Sequence, residues 1–363
     1  MAQKLKGTPA LHGFSFPPEW YPHKATWISW PRPEGISFPG RYHEAIEDIA
    51  GLIRVIVESE QVHLNVPNDN YERIVREFLK ARHVPLRRVF FHYIPTNEAW
   101  ARDHGPAFLL RTKRGKTDAA IVDWGFNAWG AKYPPWDADD AVPTRVAEKL
   151  KLPVFYPGIV MEGGAVDFNG AGTVLTTTSC LLNKNRNPRL RQGYGGQAGA
   201  RQRIEKYLRD YYGQKHVVWL GEGIEGDDTD GHIDDLARFV DQRTIAIGIE
   251  TNRRDPNFAI LRKARRALDK ARDQDGRPFE ILELPMPTPM SIDGQRVPAT
   301  YMNFYFANRG LLVPTFGQRE RDWKAMAILQ RHLPDREVIG VNCSRLIWGL
   351  GAIHCFTQQQ PLA

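Results

Sequence analysis

Cysteine is scarce in this chain of 363 residues: there are three, Cys180, Cys343 and Cys355. Three thiols cannot build a disulfide framework, so a small disulfide-stapled fold is excluded and a reducing, cytoplasmic setting is expected. Long apolar runs are missing too, and none approaches the ~18 residues of a membrane span. The basic start, Met1 to Gly7, leads into no apolar segment, so no secretory signal is expected. Nor is there an HExxH-type metal spacing. Positive charge is in excess, 49 Lys and Arg against 42 Asp and Glu for a net +7, yet it is not gathered into one stripe. Its densest part, with arginines at 186, 189, 191, 201 and 203, reads as a solvated loop and helix face.

What the chain does have is α/β patterning. A hydrophobic share of 42% beside 25% charged residues rules out a wholly disordered chain. From His43 to Glu60, apolar residues at 46, 49, 52, 53 and 56 recur at spacings of three and four, predicting a one-faced helix. Similar helices are predicted at Asn70–Arg82, Pro143–Leu150, Arg201–Tyr212, Pro256–Arg272 and Arg321–His332. Strands are predicted at 62–66, Arg88–Ile94, Ala119–Trp124, Ala165–Phe168, Thr173–Thr177, His216–Leu220, Thr244–Ile249, Phe279–Leu284 and Glu337–Val341. The two kinds interleave without a long linker, which predicts one α/β body or two tightly intertwined halves. Residues 191–200, rich in Gly with interspersed Arg, Gln and Tyr, have no apolar face and read as a low-complexity surface insertion. Arg, Gly and Tyr in such a segment also suit RNA, which keeps a nucleic-acid-binding reading open as the alternative class.

Four polar clusters fall where strands should end. Trp100-Ala101-Arg102-Asp103-His104-Gly105-Pro106 puts Asp103 ahead of a Gly-Pro turn, where an Asp can equally be a turn-stabilising residue. Met161-Glu162-Gly163-Gly164 sets a carboxylate beside paired glycines, which let a ligand or another segment approach the backbone; a plain tight turn would look the same. Between Glu222 and Asp235 run seven carboxylates without a Lys or Arg, and His232 lies among them. In an extended chain residues i and i+2 share a face, so His232 and Asp234 can converge on one pocket. An EF-hand register on Asp228-Thr229-Asp230-Gly231 fails, because its first and last ligand positions would be Gly226 and Ala237. A zinc or manganese site on His232 and Asp234 stays open. Finally, Gly349-Leu350-Gly351-Ala352-Ile353-His354 leads to Cys355. Cys180 and Cys343 read as inert buried thiols. Cys355 differs, because a His-Asp motif elsewhere can supply the base that a thiol nucleophile needs, with His232 the leading candidate.

Taken together and in order, these segments resemble the agmatine deiminase and bacterial peptidylarginine deiminase family of guanidine-modifying enzymes. The resemblance rests on Trp-x-Arg-Asp-x-Gly-Pro at 100–106, Asp123-Trp124-Gly125-Phe126-Asn127-Ala128-Trp129-Gly130 and Glu162-Gly163-Gly164. It continues through Asn183-Lys184-Asn185-Arg186-Asn187-Pro188, Thr229-Asp230-Gly231-His232-Ile233-Asp234, Asn303-Phe304-Tyr305 and Ile353-His354-Cys355. It implies the pentein fold, a five-bladed α/β propeller, as a single catalytic domain over residues 1–363 interrupted by the 191–200 insertion.

By the same resemblance Cys355 attacks the guanidinium carbon, Asp103 and Asp234 clamp its nitrogens, His232 serves as general acid and then base, and Glu162 orients His232. Asn303 and Trp100 line the pocket. No metal or organic cofactor is implied. The expected reaction is hydrolysis of agmatine to N-carbamoylputrescine and ammonia, with free arginine or peptidylarginine as alternative substrates. A basic protein repels a cationic substrate, so the 222–235 run, joined by Asp137, Asp139 and Asp140, is expected to provide a locally negative field. A homo-oligomer is expected, and neither membrane nor nucleic acid is the expected partner.

Overall fold

Apolar periodicity decides the helices. In Tyr42–Ile56 the residues Ile46, Ile49, Leu52, Ile53 and Ile56 are buried along one face, against strand residues that include Leu64 and Val341. The structure, a computed structural model, describes residues 4–192 and 195–363. The helices Asp69–Ala81, Val142–Leu150, Pro256–Lys270 and Arg319–His332 also lie within two residues of their expected ends.

The strands fall into five sheets of one pattern. In the first, β1 (His23–Ser29), β2 (Gln61–Val66) and β3 (Val89–Tyr93) run parallel. The second holds β4 (Ala107–Lys113), β5 (Lys116–Val122) and β6 (Val154–Phe155). The third holds β7 (Val166–Phe168), β8 (Thr173–Thr177) and β9 (His216–Leu220). The fourth holds β10 (Ala237–Phe239), β11 (Thr244–Ile249) and β12 (Glu280–Pro285), and is followed by a hairpin of β13 (Met290–Ile292) and β14 (Gln295–Val297). The fifth holds β15 (Tyr305–Phe306), β16 (Gly310–Thr315) and β17 (Glu337–Asn342). In each of these four sheets the first pair is antiparallel and the second parallel. The first sheet gains its antiparallel member from the far end of the sequence, where β18 (Gln358–Pro361) pairs with β1.

This repetition places the chemistry. Immediately before the antiparallel strand of each sheet comes a short helical turn or bend: Ala101–His104 before β4, Gly163–Ala165 before β7, Ile233–Asp235 before β10, the segment 300–304 before β15, and Ile353–Phe356 before β18. Ile353–Phe356 touches Ala101–His104, which touches Gly163–Ala165, which touches Ile233–Asp235. The Asn303 side chain closes the ring, donating to Asp234 and Asp235 on one side and accepting from the His354 and Cys355 amides on the other.

One expectation is corrected. Most of 191–200 is not a loop, because the helix predicted from Arg201 begins at Gly196 and runs to Tyr212. Its extra turn is built of small residues, and Gly199 and Ala200 are buried, packing that side-chain periodicity does not register. Gly193 and Tyr194 lie outside the described residues.

The loop ahead of Asp103 is tied down by Asp139, whose Oδ1 accepts the Asn97 and Glu98 amides at 2.7 and 3.2 Å. Burial pushes the Asp139 carboxyl up to about 7, against those two amides. An unfolded Asp titrates near ~4, so between about pH 4 and pH 7 the folded chain holds the extra proton and stability falls as pH rises. Asp139→Asn is therefore expected to lose about 2 kcal/mol less than the wild type between pH 5 and pH 8. Denaturant midpoints at both pH values check this, and parallel losses in the two proteins would refute it.

Candidate active site

The five junctions bring Asp103, Glu162, His232, Asp234, Asn303 and Cys355 to one buried centre. Asp103 accepts the Gly164 amide at Oδ1 and the Trp129 indole at Oδ2, each at 2.9 Å. Trp129 holds φ 55°, a left-handed backbone that a bulky residue rarely adopts and that clusters at functional sites. His232 is set by a turn in which Gly231 has φ 104° and a Cβ there would lie 2.2 Å from Ser179 Oγ. Its amide donates to Asp227 Oδ2 at 2.9 Å.

The imidazole Nδ1 of His232 lies 3.8 Å from Asp103 Oδ1 and 3.9 Å from Asp234 Oδ1. Cys355 Sγ lies 3.6 Å from the other oxygen of Asp234 and accepts the Asn303 amide at 3.0 Å. Thiol and imidazole thus meet around one carboxylate. Among the described residues, both His232 nitrogens and Asp234 Oδ1 are buried without a hydrogen-bond partner. Buried polar atoms are nearly always satisfied, so these orphans mark where a ligand's donors and acceptors fit.

Charge is distributed accordingly. Burial, and then the carboxylates of Asp234, Asp235 and Asp103, push the Cys355 thiol well above its usual range. Burial opposes a charged His232, but Asp103, Cys180 and Asp234 outweigh it and hold the ring cationic, well above the ordinary histidine range. Burial raises Asp103. It would raise Asp234 as well, yet the hydrogen bond and charge of His354 carry that group below the carboxylate norm.

Glu162 sits with Cys180 and His232, donor atoms of the three lying within 4.8 Å of one another. Its Oε1 is taken by Arg186 Nε at 2.5 Å, and Oε2 has no partner. Cys180, read from the sequence as an inert buried thiol, is fully buried with its thiol pushed up by that burial, and it belongs as well to the surroundings of His232. This trio and the set Asp234, Asp235 and Cys355 are the described groups close enough to share a metal ion. In the first, a guanidinium already occupies the carboxylate. In the second, the Asn303 amide stands among the donors, 3.0 Å from Asp235 Oδ1 and 3.0 Å from the thiol.

Above the thiol opens a cavity of ≈ 180 Å³ whose lining includes Trp100, Asp103, Trp129, Asp228, Leu350 and Cys355. Gly349 and Gly351 press on the Trp100 ring, where a Cβ would lie 2.5 and 2.7 Å from its carbons. Leu350 between them is left-handed, φ 68°. Of the acidic run, Asp234 and Asp235 reach the centre and Asp228 the cavity wall, whereas Glu222 pairs with Lys263 on the surface. Asp139 and Asp140 do not join this field as expected. Their carboxylates bind backbone amides, of Asn97 and Glu98 and of Phe126 respectively, which is a fold-holding task.

Comparison with known proteins follows the same lines. A profile described as Porphyromonas-type peptidyl-arginine deiminase matches residues 15–361. The agmatine deiminase of Medicago truncatula is 33% identical over 386 residues, 98% of this chain and 99% of its own. The solved agmatine deiminase of Enterococcus faecalis superposes with a TM-score of 0.89 at 30% identity, covering 99% of both chains. A cysteine-to-serine variant of the C. jejuni agmatine deiminase with substrate bound superposes with a TM-score of 0.84 at 32% identity, covering 96% of each.

Proposed function

Because the chain belongs to the Porphyromonas-type peptidyl-arginine deiminase family, we propose that it hydrolyses agmatine to N-carbamoylputrescine and ammonia through a covalent intermediate on Cys355. The observation that carries this reading is the unpartnered Asp234 Oδ1, facing the His232 imidazole while the other oxygen of the same carboxylate faces the Cys355 thiol. A planar cation bearing several N–H donors satisfies that oxygen and Asp103 together.

The electrostatics support the order of events. In the resting site the thiol keeps its proton, since burial first and then three carboxylates disfavour a further anion. A guanidinium bound between Asp103 and Asp234 cancels that charge, the thiol proton passes to solvent water, and sulfur bonds to the guanidinium carbon as a C–N π pair moves onto nitrogen. His232, already cationic, gives its proton to the departing nitrogen, so ammonia leaves and a thiouronium remains. The neutral imidazole then takes a proton from water. Water oxygen bonds to the carbon, the new hydroxyl proton passes to the sulfur as the C–S bond breaks, and the thiol is restored beside the urea-type product. Glu162 beside His232 and Trp100 on the cavity wall act as orienting and packing groups in this scheme, and Asn303 steadies the sulfur.

The cavity lining favours agmatine over arginine. Its wall carries the Asp228 carboxylate, which accepts from Tyr133 and stands 3.4 Å from Lys132 Nζ, and among the described residues no Lys or Arg itself lines the cavity to meet an α-carboxylate. We also assign the five sheets to one catalytic domain acting in the reducing cytoplasm, where Cys355 stays a thiol. No helix among the described residues is long and apolar enough to cross a membrane. Ammonia release from agmatine, free arginine and an arginyl peptide, measured in parallel, tests the reading. Agmatine is expected to exceed both others in kcat/KM by about 10²-fold. Faster turnover of arginine or the peptide, or none of agmatine, would overturn it.

A further inference from the structure

We propose that His354, anchored by Glu19, is a positioning residue that turns Asp234 so that only Oδ1 faces the substrate. The inference rests on the deiminase reading and deepens it. His354 Nδ1 stands 2.7 Å from Asp234 Oδ2, and Nε2 stands 2.7 Å from Glu19 Oε2. With an N–H at each nitrogen the ring donates to both carboxylates and bridges them. Glu19 is a fixed post, its Oε2 3.1 Å from Arg238 and 3.3 Å from Arg102 and its Oε1 accepting the Phe306 amide at 2.9 Å. The His354 backbone is pinned as well, its amide donating to Asn303 Oδ1 at 3.0 Å.

The surroundings show why such a bridge matters. Asp234 is faced by the cations His354, His232 and Arg238, and by the carboxylates Asp103, Asp227 and Asp235 and the thiol of Cys355. Amid that many acids, a carboxylate without a close cation takes up a proton and loses its hold on a guanidinium. The His354 imidazolium supplies the cation from the side away from His232. It occupies Oδ2 and leaves Oδ1 open.

Ammonia release from agmatine across pH, with wild type, His354→Gln and Glu19→Gln, tests the proposal. Glutamine keeps one donor but neither the charge nor the second contact. His354→Gln is expected to raise KM about tenfold or more with kcat within about threefold, and to move the acid limb of kcat/KM up by about one pH unit. Glu19→Gln, acting through the ring, is expected to move the limb the same way by less. A folded His354→Gln protein with wild-type KM and acid limb overturns the proposal. If that variant does not fold, an unmoved limb in Glu19→Gln overturns it. Wild-type protein that releases no ammonia from agmatine defeats the deiminase reading instead.

Discussion

Cys355→Ala is expected to lose ammonia release by about 10⁴-fold or more while keeping its fold. The loss is large because no other described group near the cavity floor can form the covalent intermediate. Cys180 lies with Glu162 behind His232, and Cys343 packs in the apolar core. The fold survives because removing Sγ strands nothing. The Asn303 amide that donates to sulfur also donates to Asp235 and Asp234, so no buried donor is left unpaired. Thermal melting beside the ammonia assay separates the two effects. Retained turnover would eliminate the thiol mechanism, and an unfolded variant would refute the account of Asn303.

Gly164→Ala is expected to cut kcat/KM by about 10²- to 10³-fold. A Cβ at this position would lie 2.5 Å from His232 Nδ1, 2.9 Å from Asp103 Oδ1 and 3.1 Å from Asp234 Oδ1. All three groups close on one Cα, and each is held elsewhere: Asp103 by Trp129, His232 through its amide by Asp227, Asp234 by His354. A methyl must push at least one aside, and it sets an apolar group against three polar atoms. The accompanying cost in stability is about 1–3 kcal/mol. Gly51→Ala is the control, since nothing lies within 4 Å of its Cβ position. It stands in the helix Tyr42–Ile56, so the change is expected to be neutral or stabilising by up to about 1 kcal/mol. Equal activity of the two variants would refute the convergence on Gly164.

Much of the fold is legible because the parallel strands are apolar or alternate: Thr173–Thr177, His216–Leu220 and Thr244–Ile249 begin and end where their composition predicts. The antiparallel strands are harder to read. Apart from Ala107–Lys113 they are short, and several carry polar residues inward, as with Gln358–Pro361 and with Arg238 in Ala237–Phe239, buried against Asp167 and Glu19. Period-two patterning sees no strand in such segments. Without them the five-fold repetition is invisible in the sequence.

Residues such as Asp103, His232 and Cys355 stand out because their motifs need special backbone, the Gly-Pro, Asp-Gly and Gly-x-Gly pieces that shape each junction. Their supports do not. Cys180 follows a plain Thr176-Thr177-Thr178-Ser179 run that carries no such piece, and Glu19 meets His354 only across the whole length of the chain. Asp139 misleads in the opposite sense, since its acidic neighbourhood reads as an electrostatic lure while its carboxylate serves backbone amides.

The pairing of β18 with β1 bears on the life of the polypeptide. The turn carrying Cys355 is seated by a strand that the ribosome makes hundreds of residues after its mate. Reactivity toward guanidinium compounds then waits on β18 reaching β1.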